Sequence, residues 1–551
     1  MIISKMKDGK TIYKSWRENG EKKFEMVDFR PYFFVSENHK EPSTYNASKY
    51  ILRDFDYVVG DWINLERQPL KKVFVENSYD IKGAKGKFNK TYEADVPFHF
   101  RYCIDEIDEM PEYDMRKWYW DMEWQQGGEH HDKITTIVMY DNYDKKYYQW
   151  AWFPNDKPLD TVFDTGVRLI FNNEKDMLEN FMSTMIVKDP DMLIAWFGNF
   201  ADIPKLLDRA CALGLNPLIM SPIGSIKGVK SGRDGYTFAY AENGFGQIEQ
   251  PIGGRITLNL DLAFERQWND SQRGTLPSMS LDYIGEIVLN KKKLVSEKFP
   301  DTNEFYRRGW LEDTQTYLEY ALKDVELIVE IDETNFCSEA ILSLQRLLKA
   351  PFDACFYASH MGSIYFMRNA WWKCKTGKRV DKREEYEGAM IYDPLSEDTN
   401  GLHLNVAAFD FAGLYPSMMI ARNISFETKS DEPTELGVNI LTPRDFSETT
   451  RTKMLYYKTD ELGLLPRAVI ELKELRNEYK RLMREARESD NGEYAKWHNN
   501  QMAVKRLMAS FYGIVAFQGF GWADVDLAAS ITASAREAIR LAAFKAKEME
   551  G

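Results

Sequence analysis

The chain has 551 residues, more than one hydrophobic core usually serves, so its length predicts about two to four domains. Apolar residues make up 44% and charged residues 29% of it, which excludes an intrinsically disordered chain. The formal charge of −14 argues against nucleic-acid binding through bulk attraction, although phosphate binding depends on where the basic residues lie.

The cysteines form no CxxC pair, so the sequence indicates neither a zinc site nor a disulfide framework. No apolar run reaches the roughly 18 residues that a membrane span requires. The first residues, MIISKMKDGK, also lack the apolar region of a secretion signal. We therefore expect a soluble, intracellular protein that is not secreted.

Residues 1–107 contain short alternating runs such as TIYKSW and KKVFVE, which predict a small β-rich domain. Three strand-like segments follow, KWYWDMEW, KITTIVMYD and YYQWAWF. The helix-like FNNEKDMLENFMSTMI then leads to MLIAWF, which has the length and composition of a buried strand. These segments predict a mixed α/β sheet of the ribonuclease-H-like kind, and residues 311–350 are predicted to be helical.

The later part of the chain is predicted to contain one strand and several helices. HLNVAAFDF resembles a strand that feeds an LYPSMM turn and then a helix. Two helical segments lie between about 466 and 511, and the link ESDNGE separates them, so a helical hairpin is predicted.

Asp121 and Glu123 stand two residues apart within WYWDMEW. On a strand this spacing points both carboxylates to one face, with Trp120 and Met122 on the other. Such a pair fits a platform for a divalent metal ion, and it equally fits an ordinary half-exposed strand.

Three further side chains extend this acidic pattern. Asp202 follows the predicted buried strand and precedes Pro204, where it fits a helix cap as well as a ligand. Asp324 lies four residues after Tyr320, so both share one face of a helix. Taken singly, each acid is more often a cap or a solvated charge.

The ordered series of DxE on a strand, Asp at a strand-to-helix turn and YxxxD on a helix resembles the three exonuclease motifs of family B DNA polymerases. The resemblance implies a 3′→5′ exonuclease with two Mg²⁺ ions per active site, for which Mn²⁺ can substitute. The implied metal ligands are Asp121, Glu123, Asp202 and Asp324, and Tyr320 would orient the attacking water. The second motif departs from the family, because Asn199 is displaced and Ala201 precedes Asp202 where the family has Phe.

The segment DFAGLYPSMM resembles polymerase motif A of the same family, although LYPS alone would indicate only a turn. The resemblance implies that Asp410 ligates the catalytic metal ions. The turn at Leu414 would cradle the triphosphate of a dNTP, and Tyr415 would pack beneath its deoxyribose. Gly413 stands where the family has Ser.

The helical hairpin carries a stripe of basic residues, which is usually a solvated face. Its members are Lys473, Arg476, Lys480, Arg484 and Arg487. Arg476 and Lys480 resemble the RxxxK pattern of the family.

The second helix carries KRLMASFYG, which resembles motif B. By this resemblance Lys505 would join Arg476 and Lys480 in binding the triphosphate, and Tyr512 and Gly513 would pack against the nascent base pair. Ala509 replaces the Asn of the family. YEGAMIYDP resembles the motif that links exonuclease and polymerase parts, and it implies contacts of Tyr386 and Gly388 with DNA.

The resemblance implies a multidomain α/β and α+β fold. Its predicted parts are a β-rich N-terminal domain (1–107, with part of 338–383), a ribonuclease-H-like exonuclease domain (108–337), a first part of the palm (384–462), helical-hairpin fingers (463–516) and a second, incomplete part of the palm (517–551). The chain ends soon after motif B, so we expect neither motif C nor a thumb within it.

The chain is therefore expected to be the N-terminal part of either a split or a truncated enzyme. The leading hypothesis is the split enzyme, a polymerase and exonuclease subunit for DNA replication that is completed by a second polypeptide supplying motif C and the thumb. Its expected partners are primer-template DNA, dNTPs and, as a further candidate, a sliding clamp, in the cytoplasm of a prokaryotic or virus-infected cell. One alternative is a stand-alone 3′→5′ exonuclease with a vestigial polymerase portion. A catalytically inactive DNA-binding scaffold is the other, against which the retained carboxylates argue.

Overall fold

The computed structural model describes residues 1–47, 51–155, 159–239, 244–270, 274–377, 386–390, 404, 406–407, 410–442, 451–490, 492–517 and 520–549. The chain forms two compact units. The first unit comprises Met1–Phe29 and Ile107–Asp353, and the second comprises Arg30–Glu106 and Ala354–Gly551. Residues 1–107 are therefore shared between the two units, and the finer domain boundaries given above stay predictions.

Strands occur along most of the chain: β1 (Ile2–Lys5), β2 (Thr11–Glu18), β3 (Glu21–Asp28), β4 (Tyr32–Ser36), β5 (Thr44–Asn46), β6 (Leu52–Asp54), β7 (Asp56–Ile63), β8 (Pro69–Phe74), β9 (Lys117–Trp124), β10 (Ile134–Asp141), β11 (Lys146–Trp152), β12 (Val162–Phe163), β13 (Gly166–Phe171), β14 (Met192–Ala195), β15 (Val229–Gly232), β16 (Gly235–Phe238), β17 (Ile256–Asn259), β18 (Lys429–Ser430), β19 (Leu436–Thr442) and β20 (Arg451–Tyr457). The helices are α1 (Ile81–Lys85), α2 (Phe98–Glu106), α3 (Glu174–Lys188), α4 (Asp202–Ala212), α5 (Leu260–Asp270), α6 (Leu281–Leu289), α7 (Thr302–Glu304), α8 (Trp310–Glu312), α9 (Thr314–Asn335), α10 (Cys337–Leu348), α11 (Ala358–Asn369), α12 (Leu414–Ala421), α13 (Leu464–Ser489), α14 (Tyr494–Val515) and α15 (Val525–Met549).

The first unit is built on a sheet with the strand order β12-β13-β11-β10-β9-β14-β17. In the middle of this sheet β9 pairs antiparallel with β10 and parallel with β14. Helix α3 connects β13 to β14, and helices α4 and α9 follow later in the chain. The predicted mixed α/β arrangement is confirmed, and the predicted helix over 311–350 is observed as α9 and α10, preceded by the end of α8.

The two faces of β9 differ as its alternation predicts. Trp118, Trp120 and Met122 are buried in the core of the first unit, where the rings of Trp118 and Trp120 lie near Phe181. Burying these large apolar side chains fixes the register of the strand, since a slip by one residue would expose them all. The alternate residues of β9 therefore face α9.

Hydrogen bonds hold β9 against α9. The hydroxyl of Tyr119 donates to Asp332 Oδ2 at 2.7 Å, and Asp332 also accepts from the backbone amide of Ser338 at 2.8 Å. Near the end of β9, the carbonyl oxygen of Glu123 accepts a hydrogen bond at 3.0 Å from Oγ1 of Thr135, a residue of β10. The same hydroxyl of Thr135 lies 2.8 Å from the hydroxyl of Tyr317 in α9. These buried hydrogen bonds fix the position of α9 relative to β9.

The β1-β2-β3 sheet belongs to the first unit because charged side chains join it to the loop before β14. Arg17 forms a buried ion pair with Asp191, and Lys22 Nζ lies 3.1 Å from Asp189 Oδ1. The backbone amide of Gly254 donates to Ser4 Oγ at 3.1 Å. These contacts explain why residues 1–29 pack apart from the rest of the predicted N-terminal segment.

The second unit contains the β4-β8-β7 and β18-β20-β19 sheets and a helical hairpin formed by α13 and α14. The predicted hairpin is thus observed. Helix α11 packs on α14 so closely that a Cβ at Gly362 would lie 2.0 Å from Ile514 Cδ1. Of the predicted strand HLNVAAFDF, residues 403, 405, 408 and 409 lie outside the described residues, and the described residues 404, 406–407 and 410–411 are not in a strand. Within the described part of the chain, no helix has both the length and the hydropathy needed to cross a bilayer.

Candidate functional site

The four carboxylates of the predicted ligand set line one cleft of the first unit. Asp121 and Glu123 come from β9, Asp202 is the first residue of α4, and Asp324 lies in α9. The sequence places them far apart, and the sheet brings them together because α4 follows β14, the parallel neighbour of β9. The four exonuclease ligands implied by the resemblance therefore share one site.

Three of the carboxylates are close enough to share a cation. One oxygen each of Asp121, Glu123 and Asp324 lies within 4.8 Å of the others. Asp202 stands outside this group of three, but it is buried in the same cleft, and its charge contributes to the raised pKa of Glu123.

Asp202 does not cap α4. The N-cap position is held by Ala201, which has no side chain that could cap the helix, and Asp202 is the next residue, the first of α4. At 4% exposure it is too buried for a solvated charge. The functional interpretation of Asp202 is therefore favoured over the helix-cap alternative.

A lysine that the sequence pattern did not single out lies among these acids. Lys293 Nζ is 2.6 Å from Asp324 Oδ2 and 3.1 Å from the hydroxyl of Tyr320. Its backbone amide donates to Asp282 Oδ1 at 2.8 Å, which fixes the segment after α6. Lys293 ends the run KKK, and only the proximity of that run to the third motif could have signalled its place.

The hydroxyl of Tyr320 is fixed from two sides. It lies 2.8 Å from the hydroxyl of Tyr306 and accepts from Lys293 at 3.1 Å. Tyr320 and Asp324 are one turn apart on α9, and both are buried, at 5% and 2% exposure. The predicted shared face is observed, and it points into the cleft.

Burial and mutual repulsion perturb the acids. Burial first, and then the charge of Asp324, raise the pKa of Asp121 to about 7. The pKa values of Glu123 and Asp202 are raised well above their usual range by burial and by the charge of Asp121. Burial also raises the pKa of Asp324, although Lys293 opposes that shift.

The acidic neighbours of Lys293 raise its pKa. Burial alone would lower it, but the carboxylates of Asp324 and Asp121 outweigh burial and raise it above its ordinary value. Asp282 also lines the cleft, so among the described lining residues one ammonium group faces five carboxylates, which leaves the cleft short of positive charge.

The residues fit a divalent cation. Asp324 Oδ1 is buried and accepts no hydrogen bond from any described residue, so the coordination of a cation would satisfy it. Carboxylate oxygens are the ligands that Mg²⁺ and Mn²⁺ prefer. A cation would also relieve the repulsion that raises the pKa values of the group.

A second group of predicted residues meets in the second unit. The rings of Tyr415 and Tyr512 stack with centroids 4.3 Å apart and an interplanar angle of 29°. The hydroxyl of Tyr386 lies 3.3 Å from that of Tyr512. The structure therefore brings together one tyrosine each from the YEGAMIYDP, motif A and motif B segments.

Helix α15 anchors the segment that carries Tyr386. Arg536 donates to the carbonyl oxygens of Glu387 at 2.8 Å and Gly388 at 2.6 Å, and Thr532 Oγ1 donates to that of Glu387 at 2.7 Å. The sequence interpretation assigned no role to Arg536 or Thr532. Their spacing of one helical turn puts both on one face of α15, but nothing in the sequence identifies what that face contacts.

Three predicted cations lie in one part of the hairpin. Burial lowers the pKa of Lys480, and the positive charges of Arg476, Lys505 and Arg484 lower it further. Arg476 Nε donates to Gln501 Oε1 at 3.3 Å across the two helices. The cations that lower the pKa of Lys480 leave a positive potential there, which an anion would relieve.

The remaining predicted residues are placed as follows. Asp410 is exposed and precedes α12, which begins at Leu414 after Gly413, whose φ of 74° suits glycine. A Cβ added at Gly388 or Gly513 would meet no atom within 4 Å. Among the described residues, Asp410 belongs to no group of three or more potential metal ligands.

Comparisons with known proteins match parts of both units. Residues 118–263 match the family model for "DNA polymerase family B, exonuclease domain", and residues 361–549 match that for "DNA polymerase family B". The chain is 26% identical to a DNA polymerase of Pyrococcus glycovorans, in an alignment that covers 98% of this chain and 67% of that protein. It is also 26% identical to the DNA polymerase delta catalytic subunit of Candida albicans, over 66% of this chain and 34% of that one.

The fold has a similar solved structure. The family B DNA polymerase from the hyperthermophilic archaeon Pyrobaculum calidifontis superposes with a TM-score of 0.71 at 17% identity, covering 99% of this chain and 71% of that one. The chain thus spans about two thirds of the length of the archaeal polymerases that it matches.

The fold and the two family matches define the class as DNA-directed DNA polymerases with a 3′→5′ exonuclease. Together the two matches cover more than half of the chain. The chain belongs to DNA polymerase family B.

The raised pKa values predict that divalent-metal binding weakens in acid. A cation competes with the proton that Asp121 holds below a pH of about 7, so affinity should fall as the pH drops through that value. For each proton that the metal ion must displace, the apparent metal affinity falls roughly tenfold for every pH unit below the pKa of the carboxyl group. Calorimetric titration of the protein with Mg²⁺ at pH 8 and pH 6 should show this weakening, and equal affinities would contradict it.

Proposed function

We propose that the cleft of the first unit removes 3′-terminal nucleotides from DNA by a two-metal-ion mechanism. In this proposal the second unit supplies the nucleotide-binding part of a replicative polymerase site. A second polypeptide that carries motif C and a thumb would complete this polymerase. The observation that carries the proposal is the convergence of Asp121, Glu123, Asp202 and Asp324 in one cleft.

The carboxylates would hold two Mg²⁺ ions, or Mn²⁺ in their place. When bound, such ions polarise the scissile phosphate and lower the pKa of a water molecule. Asp121 lies on the rigid middle of a sheet and Asp324 on a helix packed against it, so both are preorganised for this task.

Tyr320 and Lys293 act beside the carboxylates. The Tyr320 hydroxyl is held by Tyr306 and Lys293 and would orient the attacking water through a hydrogen bond. The pKa of Tyr320 is raised by burial and by Asp324, so the phenol keeps its proton and remains a donor. Lys293 would offset negative charge that develops on the phosphate.

The second unit supports nucleotide binding in two places. Arg476, Lys480 and Lys505 form the positive region that would bind the triphosphate of a dNTP. The stacked pair of Tyr415 and Tyr512 would carry the deoxyribose and the nascent base pair, with Leu414 and Gly513 beside them. Asp410 would be a ligand of the polymerase metal ions.

Primer-template DNA would contact Tyr386 and Gly388. These residues are tied to Tyr512 and to α15, so template contact and base-pair contact would be mechanically linked. A sliding clamp remains a further candidate partner. The proposed substrates place the activity inside a cell.

The second candidate function is a stand-alone 3′→5′ exonuclease with a vestigial polymerase portion. It is favoured by one observation: the carboxylates that lie close enough to share a cation all line the cleft of the first unit, whereas Asp410 is exposed and outside any such group of described residues.

Substitution of two acidic residues of α4 compares a proposed metal ligand with an exposed acid on the same helix. Asp202→Asn should reduce shortening of a 5′-labelled primer-template in Mg²⁺ by about 100-fold or more, because it removes a proposed metal ligand. Asp208→Asn, an exposed acid on the same helix, is the matched control and should act as wild type. Equal activity of both variants would overturn the assigned cleft.

Adding dNTPs to this assay separates the two candidate functions. The chain alone should shorten the primer with or without dNTPs. Extension should appear once a polypeptide carrying motif C is supplied. Continued shortening without extension in that mixture would favour the stand-alone exonuclease.

Adjacent cations of α13 test the dNTP site. Lys480→Ala should weaken binding of a fluorescent dNTP about tenfold or more, because charge-assisted phosphate contacts are strong. Arg481→Ala is the control, since Arg481 already pairs with Glu478 and Glu485. The two variants should be compared by equilibrium titration, and equal losses would contradict the assignment of Lys480.

A further inference from the structure

The turn between β14 and α4 places an aromatic ring in the exonuclease cleft. Phe197 lines this cleft together with Asp121 and Asp202, and it is 40% exposed. Among the described residues that line the cleft, it is the most exposed aromatic one. A single exposed phenylalanine is ordinary on a protein surface, so its position beside the carboxylates is what matters.

The neighbouring Asn199 is not available to DNA. Its side chain is fully buried, and Nδ2 donates to the carbonyl oxygens of Gly246 at 3.1 Å and Glu249 at 2.9 Å. Its backbone amide donates to Asn259 Oδ1 at 3.0 Å. The amide of Asn199 therefore holds the 244–250 segment in place and does not line the cleft.

The backbone presents the Phe197 ring from a fixed turn. The carbonyl of Phe197 accepts from the amides of Phe200 at 2.9 Å and Ala201 at 3.1 Å. Trp196, directly before it, is buried and donates from Nε1 to the carbonyl of Met279 at 2.8 Å. The ring thus projects from anchored backbone on both sides.

Phe197 and Ala201 are residues of this turn that line the cleft, and of these two Phe197 has an aromatic ring. Phe200 is equally exposed, at 43%, but does not line the cleft. The small side chain of Ala201 lines the cleft and offers no surface for stacking.

We propose that Phe197 positions the 3′-terminal nucleotide by stacking on its base. The inference rests on the proposed exonuclease function and assigns a substrate-positioning residue to its cleft. Stacking on a ring needs no hydrogen-bond pattern, so the site accepts any of the four bases. It requires an unpaired terminus, because a base within a duplex presents no free face.

The test measures steady-state hydrolysis of single-stranded oligonucleotides in Mg²⁺ by Phe197→Ala, Phe197→Trp and Phe200→Ala. Each enzyme receives two substrates, one with a normal 3′-terminal nucleotide and one whose terminal nucleotide is abasic. Phe200→Ala is the matched control, because it removes an equally exposed ring from the same turn.

Phe197→Ala should raise KM for the normal substrate roughly tenfold, since stacking on one base carries about that much affinity. Phe197→Trp should restore KM, and Phe200→Ala should leave it unchanged. With the abasic terminus, wild type and Phe197→Ala should have the same KM, because no base is left to stack.

Two results would overturn the inference. One is an equal rise of KM for Phe197→Ala on both substrates, which would show a structural role. The other is a wild-type KM for Phe197→Ala on the normal substrate. Failure of the wild-type protein to hydrolyse either substrate would count against the proposed exonuclease itself.

Discussion

The concentration of negative charge in one cleft is the constraint on which the rest of the first unit depends. Among the described residues that line it, five carboxylates face the ammonium group of Lys293, and burial makes the repulsion between the carboxylates stronger than it would be in water. Such a group persists only where the surrounding structure holds it. The apolar face of β9 and the hydrogen bonds between β9 and α9 provide that restraint.

The same restraint explains the division of roles along β9. Trp120 and Met122 secure the strand in the core, and Asp121 and Glu123 occupy the opposite face. Stability and chemistry are therefore carried by alternate residues of one segment. The turn before α4 follows a similar rule, because Asn199 is used for structure while Phe197 faces the cleft.

Local spacing was sufficient to predict part of this arrangement. The two-residue period of a strand predicted the shared face of Asp121 and Glu123, and the helical period did the same for Tyr320 and Asp324. The predicted hairpin of α13 and α14 followed from the break at ESDNGE. Each of these features depends on contacts between residues close in sequence.

Long-range contacts were not predictable in this way. Lys293 reaches Asp324 only because the segment after α6 is tied to Asp282, and Arg536 reaches residues 387–388 across a long sequence separation. The division of residues 1–107 also depends on tertiary contacts, such as the ion pair of Arg17 with Asp191. No pattern within a short window encodes these contacts.

The proposed exonuclease mechanism requires that the cleft hold divalent metal ions. Anomalous diffraction from crystals soaked in Mn²⁺ would locate such ions directly. We expect a peak bounded by the carboxylates of Asp121, Glu123 and Asp324, with a second ion near Asp202. A map without any peak in this cleft, at a Mn²⁺ concentration that supports hydrolysis, would contradict the two-metal-ion mechanism.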